Sequence, residues 1–257
     1  MKTDLGLAGA VVLVTGGVRG VGKGISEVFL AHGAHVVTCA RHEPEVPAQA
    51  EFVPCDVRDE TQVTALIDGI VERHGRLDVV VNNAGGAPYA PAAEASPRLH
   101  EKIVQLNLLA PLLVAQRANA VMQRQDTGGS IVMISSVSGT RASPGTAAYG
   151  AAKAGLDNLT ASLAVEWAPK VRVNALDVGM VRTEQAHLHY GSEAAIEAVG
   201  KTVPLGRLAE PGEVGACAAF LASGLASYVS GATLRVHGGG EVPAFLAAAD
   251  VNHREDS

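Results

Sequence analysis

Seven short runs rich in β-branched residues recur along the chain: "VVLVT" (11–15), "HVVTC" (35–39), "EFVPC" (51–55), "DVVVN" (78–82), "SIVMIS" (130–135), "VRVNAL" (171–176) and "TLRVH" (233–237). They are apolar at consecutive positions, the pattern of strands covered on both faces. Between most of them lie stretches with helical periodicity, such as "GKGISEVFLAHG", "TQVTALIDGIVERHG" and "HEKIVQLNLLAPLLVAQRANAVMQRQ". This alternation predicts an α/β fold built on a doubly wound parallel sheet.

No linker, charge run or repeat interrupts the series, so residues 1–257 are read as one dinucleotide-binding and catalytic domain. Hydrophobic residues make up 47% of the chain, enough for a sizeable core. The stretch "ARHEPEVPAQA" carries two prolines and is expected to be a loop rather than a crossover helix. Residues 182–203 look like an amphipathic excursion over the ligand edge of the sheet, a candidate substrate lid, and the polar 250–257 like a frayed tail.

With 20 Lys and Arg against 26 Asp and Glu, the net charge of −6 gives no footprint for nucleic acid or an anionic membrane. A small-molecule substrate is the easier partner. Cys39, Cys55 and Cys217 are odd in number and widely spaced, which fits reduced thiols in a cytoplasmic protein. The apolar run near the N-terminus is too short for a signal sequence or a membrane span.

The first predicted strand runs into "TGGVRGVG" (15–22), just before a helix. Gly16, Gly20 and Gly22 permit a tight turn that brings helix N-terminal N–H groups against a pyrophosphate. Alone this signal is weak, because glycine clusters also make ordinary strand-to-helix turns. The segment "GVRGVGKG" (17–24) comes within one residue of a nucleoside triphosphate loop, but Gly24 stands where that loop needs a magnesium-binding hydroxyl. A dinucleotide is favoured.

At the end of the second strand an acidic side chain would select NAD(H) and a cation NADP(H). Here Ala40 is followed by Arg41, and Arg19 lies in the glycine turn, so two guanidiniums are available to clamp a phosphate. Both are equally consistent with solvated surface arginines, and Glu43 is close enough to neutralise Arg41. NADP(H) is the favoured reading.

Tyr149 and Lys153, in "YGAAK" (149–153), are spaced i, i+4 and share one helix face. A nearby ammonium and the positive ring of an oxidised nicotinamide would both favour phenolate, making the phenol an acid/base. The spacing by itself is too short to be specific. Upstream, "IVMISSVSG" (131–139) ends a strand at the edge where open α/β sheets hold ligands, placing Ser136 to share a substrate oxygen with Tyr149.

Taken together, "TGGVRGVG", "CDV" (55–57), "NNAG" (82–85), "QLNLLAP" (105–111), "SSVSG" (135–139), "YGAAKAG" (149–155), "RVNALDVGMVRTE" (172–184) and "SYVSGATLRVHGG" (227–239) make the chain resemble a short-chain dehydrogenase/reductase over nearly its whole length. The resemblance implies a Rossmann-like, seven-stranded parallel sheet flanked by helices on both faces. It also implies a catalytic tetrad: Tyr149 as acid/base, Ser136 orienting substrate, Lys153 binding the nicotinamide ribose and lowering the phenol's pKa, and Asn107 holding a relay water.

For the cofactor it assigns Gly16, Gly17, Val18, Arg19, Gly20 and Val21 to the pyrophosphate side, Arg41 to the 2′-phosphate, and Asp56 with Val57 to adenine. Asn83, Ala84 and Gly85 would line the adenine ribose, and Val181 and Thr183 the nicotinamide, whose pro-S face would deliver hydride. A homotetramer, or a homodimer, would form through helices 98–124 and 149–167.

The chain departs from the family pattern at Val178, where proline is frequent, at the unusual Asp177, and at His237, where Asp is frequent. "HLH" (187–189) lacks a third ligand, and no metal is expected. No Gly-x-Ser-x-Gly of a serine hydrolase occurs. Segments 86–96, 137–147 and 180–205, rich in Ala, Gly and Pro, point to an open apolar pocket for a hydrophobic ketone or secondary alcohol such as a 3-oxoacyl or steroid type. Two alternatives remain: an NAD-linked dehydrogenase of the same fold, and a noncatalytic dinucleotide-binding regulator.

Overall fold

The computed structural model of the protein describes residues 4–43 and 50–248. Its first unit is β1 (Val11–Thr15), α1 (Gly20–Ala31) and β2 (His35–Ala40), followed by β3 (Glu51–Pro54), α2 (Glu60–His74) and β4 (Val79–Asn82). Then come α3 (Pro97–Val104), α4 (Ala110–Met122), β5 (Gly129–Ser136), α5 (Ala147–Trp167) and β6 (Val171–Val178). The last part holds α6 (Ala186–Tyr190), α7 (Glu193–Gly200), α8 (Pro211–Ala222), β7 (Thr233–Val236) and α9 (Ala244–Ala248).

Among the described residues the seven strands form one parallel sheet in the order β3-β2-β1-β4-β5-β6-β7. The chain winds outward from β1 in one direction and from β4 in the other. A crevice therefore opens beyond the C-terminal ends of β1 and β4, where the direction reverses.

The strands fill both faces because alternate side chains go to opposite sides. Val11 and Leu13 join Ile67 and Ile70 of α2, Val114 and Ala118 of α4, and Leu156 of α5 in one core. Val12 and Val14 join Ile25 and Phe29 of α1 and Val214 and Ala218 of α8 in the other. The edges differ from the expected two-sided burial: three of the four residues of β7 are exposed, and β3 is only half-covered. An edge strand has fewer neighbours over it, so its apolar residues do not report on burial as those of the central strands do.

The long helix expected over 98–124 is broken. Its turn Gln105–Leu109 widens to a π-helical step between α3 and α4, with the Ala110 N–H reaching the Gln105 carbonyl five residues back. Pro111 lies four residues after Asn107 and has no N–H to give the Asn107 carbonyl, so regular α-helical bonding is interrupted there. The widened turn carries Asn107, fully buried, to the crevice. The loop expected between β2 and β3 falls mainly on 44–49, outside the described residues, as does the expected tail 250–257.

Candidate active site

The glycine turn between β1 and α1 is closed by the end of β4. Thr15 Oγ1 accepts the N–H groups of Asn83 and Ala84, both at 3.0 Å. Asn83 Nδ2 returns to the carbonyls of Thr15 at 2.9 Å and Gly16 at 3.2 Å. A Cβ on Gly22 would collide with the Gly16 carbonyl oxygen and the Asn83 amide, so only glycine lets α1 approach this closely. The side chain of Asn83 is thus committed to holding the turn, while Ala84 and Gly85 continue along the crevice wall.

That turn fits a pyrophosphate, and the structure supplies an independent sign of it. α1 opens at Gly20 with no acidic residue in its first turn and no side-chain cap from Arg19. The Gly20 N–H donates instead to Glu184 Oε1 at 2.9 Å, a carboxylate from 164 residues away. The helix end accepts an anion where the sequence places a phosphate. Thr183 stands beside it, its methyl 3.5 Å from where a Gly20 Cβ would be. Val181, two residues earlier, forms a parallel bridge to Ala209 and packs on the core around α1 and α8.

At the adenine end, Arg41 follows directly after β2 and is exposed, as is Arg19. Among the described residues neither takes part in an ion pair, which leaves both guanidiniums available to an anion. Val57 is buried. Asp56 is gripped by Arg58, with Nε to Oδ1 at 2.9 Å and Nη2 to Oδ2 at 2.6 Å. That bond is the chief reason its carboxyl titrates below the usual range, with Arg41 adding a smaller pull. Arg58 is a cation the sequence reading passed over; its signal was the i, i+2 spacing to Asp56.

At the other end Ser136, Tyr149 and Lys153 meet where β5 ends against α5. The Ser136 hydroxyl is near enough to the Tyr149 phenol to pull its pKa down, and it accepts the Ser138 N–H at 3.2 Å. Lys153 Nζ is 5.5 Å from the centre of the Tyr149 ring. The ammonium is buried, 3% exposed, and donates to the Ile134 carbonyl at 2.7 Å. Ser135 Oγ donates to the Lys153 carbonyl at 3.3 Å, tying the strand to the helix.

Asn107 enters differently from the expectation. Its Oδ1 accepts the Gly86 N–H at 2.8 Å, and its Nδ2 donates to the carbonyls of Gly86 and Ile103, both at 2.9 Å. The side chain braces the loop after β4. A Cβ on Gly85 would stand 2.7 Å from Asn107 Oδ1, so this loop too needs its glycine.

The electrostatics also differ from the expectation. In the cofactor-free protein the phenol of Tyr149 titrates above its ordinary value; burial is the main cause, the Ser136 hydrogen bond opposes it, and the charge of Asp177 adds to it. Burial lowers Lys153 itself to about 8, with Asp157 one turn further along α5 partly offsetting the loss. The ammonium therefore still carries most of its charge at neutral pH, but in a site from which water is removed.

The departures in the chain meet at one place. Asp177 is completely buried, its Oδ2 3.4 Å from Thr140 Oγ1 and 3.7 Å from Arg235 Nε, and its Oδ1 has no partner among the described residues. Desolvation raises its pKa, with Arg235 and His237 opposing. Val178 is buried in the core, and a Cβ on Gly179 would come within 2.9 Å of His237, so the strand ends pack closely without the family's proline.

Two cavities adjoin these elements: the smaller has a mixed polar and apolar lining, and the larger is polar, against the apolar walls expected from the sequence. One, about 300 Å³, is lined by Val137, Thr140, Met180, Arg235, His237 and Glu241 among others. The other, about 340 Å³, is lined by Arg182, Thr183, Glu184, His187, Glu193 and Glu210 with two apolar residues. The small residues of segments 137–147 and 180–205 set the sequence expectation, but they leave the few charged residues between them, and the strand end after β7, to form the walls. Over the second cavity, α6 and α7 pack through Ala186, Ile196 and Leu208. Among the described residues no cluster of three His, Cys, Asp or Glu is arranged to hold a metal, and no helix is long and apolar enough to cross a membrane.

A crevice at the sheet reversal, a glycine turn that binds an anion, and a Ser, Tyr and Lys meeting beyond β5 define a nucleotide-linked oxidoreductase. The chain belongs to the short-chain dehydrogenase/reductase family: residues 16–241 match the family model described as enoyl-(acyl carrier protein) reductase. It is 39% identical to the L-fucose dehydrogenase of Oryctolagus cuniculus, over 94% of this chain and 88% of that one. It is 36% identical to oxidoreductase UcpA of Escherichia coli strain K12, over 92% of this chain and 96% of that one. Among solved structures, ligand-free aldohexose dehydrogenase (AldT) of Thermoplasma acidophilum superposes with a TM-score of 0.88 at 34% identity, covering 92% of this chain and 96% of that one. The protein is an oxidoreductase enzyme of this family with a Rossmann-like fold.

Proposed function

We propose that the chain is a single-domain, NADP(H)-dependent enzyme that interconverts a carbonyl and an alcohol, with Tyr149 as the proton donor and acceptor. The observation that carries this reading is Lys153 Nζ 5.5 Å from the centre of the Tyr149 ring, with the Ser136 hydroxyl near enough to act on the phenol's pKa. The nicotinamide, when bound, supplies or accepts the hydride. Ser136 hydrogen-bonds the reacting oxygen and Tyr149 gives it a proton, the direction for which a phenol kept protonated by burial is already prepared. Removing a proton from an alcohol needs the phenol ionised, and the positive charge of the oxidised ring together with Lys153 provides the field for that.

Gly16 to Val21 and the N-terminus of α1 would hold the pyrophosphate, and Val181 with Thr183 the nicotinamide end. Arg41 and Arg19 would take the 2′-phosphate, with the Asp56–Val57 edge beside adenine. Replacing Arg41 by Asp should weaken NADP(H) about 100-fold, the size of losing a charge-assisted pair and adding a repulsion, while NAD(H) changes only a few-fold. Titration of both cofactors checks this, and equal effects on the two would reject the phosphate clamp.

The polar cavity beside Glu184 favours a hydroxylated substrate, and two of the relatives are named for sugars. We therefore place aldoses ahead of the hydrophobic ketones read from composition. The family model's description, an enoyl-(acyl carrier protein) reductase, keeps acyl thioesters as the second reading. Nicotinamide absorbance across aldoses, polyols and acyl ketones, with both cofactors, tests the assignment; turnover confined to acyl thioesters would reverse it. Exposed Val165 on α5 and Phe220, Leu225 and Leu234 around α8 and β7 support self-association, read here as a cytoplasmic homotetramer.

A further inference from the structure

The contact between Gly20 and Glu184 has a second meaning. The anion seat at the N-terminus of α1 is filled by a side chain of the chain itself, and that side chain stands on a fixed support. The Gln185 N–H donates to Thr183 Oγ1 at 3.3 Å, the Ala186 N–H to the Thr183 carbonyl at 3.0 Å, and His187 Nδ1 lies 3.0 Å from the Glu184 carbonyl. This turn leads directly into α6. Arg182, two residues before Glu184, pairs with Glu193 at the start of α7 at 2.6 Å. Glu184 is therefore the tip of the 182–200 segment, held against the glycine turn.

A carboxylate and a pyrophosphate cannot share one helix terminus. Both seek the same N–H groups and the same positive end of the dipole, and side by side they repel. α1 has no acidic residue in its own first turn, so Glu184 is the only carboxylate among the described residues that the structure places on it. The polar cavity of about 340 Å³ next to Glu184, walled partly by Arg182 and His187, gives the side chain room to turn away.

We propose that Glu184 sets the affinity for the dinucleotide. It occupies the phosphate seat until the cofactor enters and leaves as the cofactor binds, so that binding frees the stretch from Glu184 onward while Thr183 stays at the nicotinamide end. This rests on the dinucleotide reading above.

The test uses the full chain with Glu184→Gln and Glu184→Ala, titrated with NADPH by its fluorescence and with adenosine 2′-phosphate, which lacks the pyrophosphate, by calorimetry. Removing the competing charge should tighten NADPH about five- to tenfold in both variants, the range expected for one charge at a helix end, and leave adenosine 2′-phosphate unchanged. Amide exchange over 184–200 should also rise in the empty Glu184→Ala protein to the level that NADPH induces in the wild type. Unchanged or weaker NADPH binding in both variants, with adenosine 2′-phosphate still bound, would overturn the role of Glu184 and leave the cofactor reading standing. Tighter NADPH binding without the change in exchange would overturn the coupling to the segment. A wild-type protein that binds neither ligand would remove both the role and the reading it rests on.

Discussion

Replacing Tyr149 by Phe should reduce turnover by at least about 1000-fold while the dissociation constant of the cofactor changes less than about threefold. The substitution deletes one oxygen. The ring that packs at the start of α5 stays, and the pyrophosphate and adenine ends of the site lie on other elements. What is lost is the group that exchanges a proton with the reacting oxygen, together with the partner of the Ser136 hydroxyl. Ser136 and the bound ring would still orient substrate, so residual activity rather than none is expected. Steady-state rates beside a fluorescence titration of NADPH separate the two effects. Turnover within tenfold of wild type would remove Tyr149 from the acid/base role, and parallel loss of cofactor binding would show a packing defect instead.

Replacing Lys153 by Met should raise the stability of the empty protein while abolishing most activity. Lys153 is 3% exposed and its folded pKa is lowered to about 8 from an unfolded value of 10.5. Below about pH 8 the folded protein must carry a buried charge, and the full penalty is present. Between about 8 and 10.5 the unfolded chain binds more protons than the folded one, so stability rises with pH across this window and the penalty is gone above it. The size at pH 7 is of order 3 kcal/mol, reduced by the lost hydrogen bond to the Ile134 carbonyl, which contributes about 1 kcal/mol. Methionine keeps the length of the stem without the charge. Chemical denaturation at pH 7 and pH 10 should show a gain of roughly 2 kcal/mol at the lower pH that shrinks at the higher one. A variant less stable than wild type at pH 7 would mean that the ammonium is solvated or paired in a way that burial and its hydrogen bond do not reveal.

A group held at such a cost to stability marks a site where function outweighs packing. The same holds for Asp177, buried with one oxygen unpartnered beside the strand that carries Ser135 and Ser136. Sequence reasoning could name both residues but not their state, because a pKa depends on how much water the fold removes, and removal is a tertiary property. The sheet was far more legible. The apolar runs of β1, β4 and β5 are buried on both faces, as the central strands of a doubly wound sheet are, so their sequence pattern is direct evidence of their position.

Errors gathered where one residue acts over a distance. The pattern around Asn107 reads as an uninterrupted amphipathic helix, and only the missing N–H of Pro111, four residues on, marks the widened turn. Glu184 is an ordinary exposed acid in the sequence; its place on Gly20 comes from a contact across 164 residues. The composition of the substrate loops was correctly read as rich in small residues, yet small residues leave space, and the walls of that space are set by Arg141 and Glu241, paired at 2.6 Å, and by Arg182, Arg235 and His237. In the cavity beside Glu184 a few ionic side chains dominate because nothing bulky screens them.

The measurement closest to the central claim is the ionisation of the Tyr149 phenol itself, followed by the NMR shift of ring-labelled tyrosine over pH and assigned with the Tyr149→Phe protein. In the empty enzyme that signal should titrate above the ordinary tyrosine value, and saturating NADP⁺ should move it below that value while the other three tyrosines stay in place. A Tyr149 signal unmoved by NADP⁺, in a protein shown to bind it, would contradict the account.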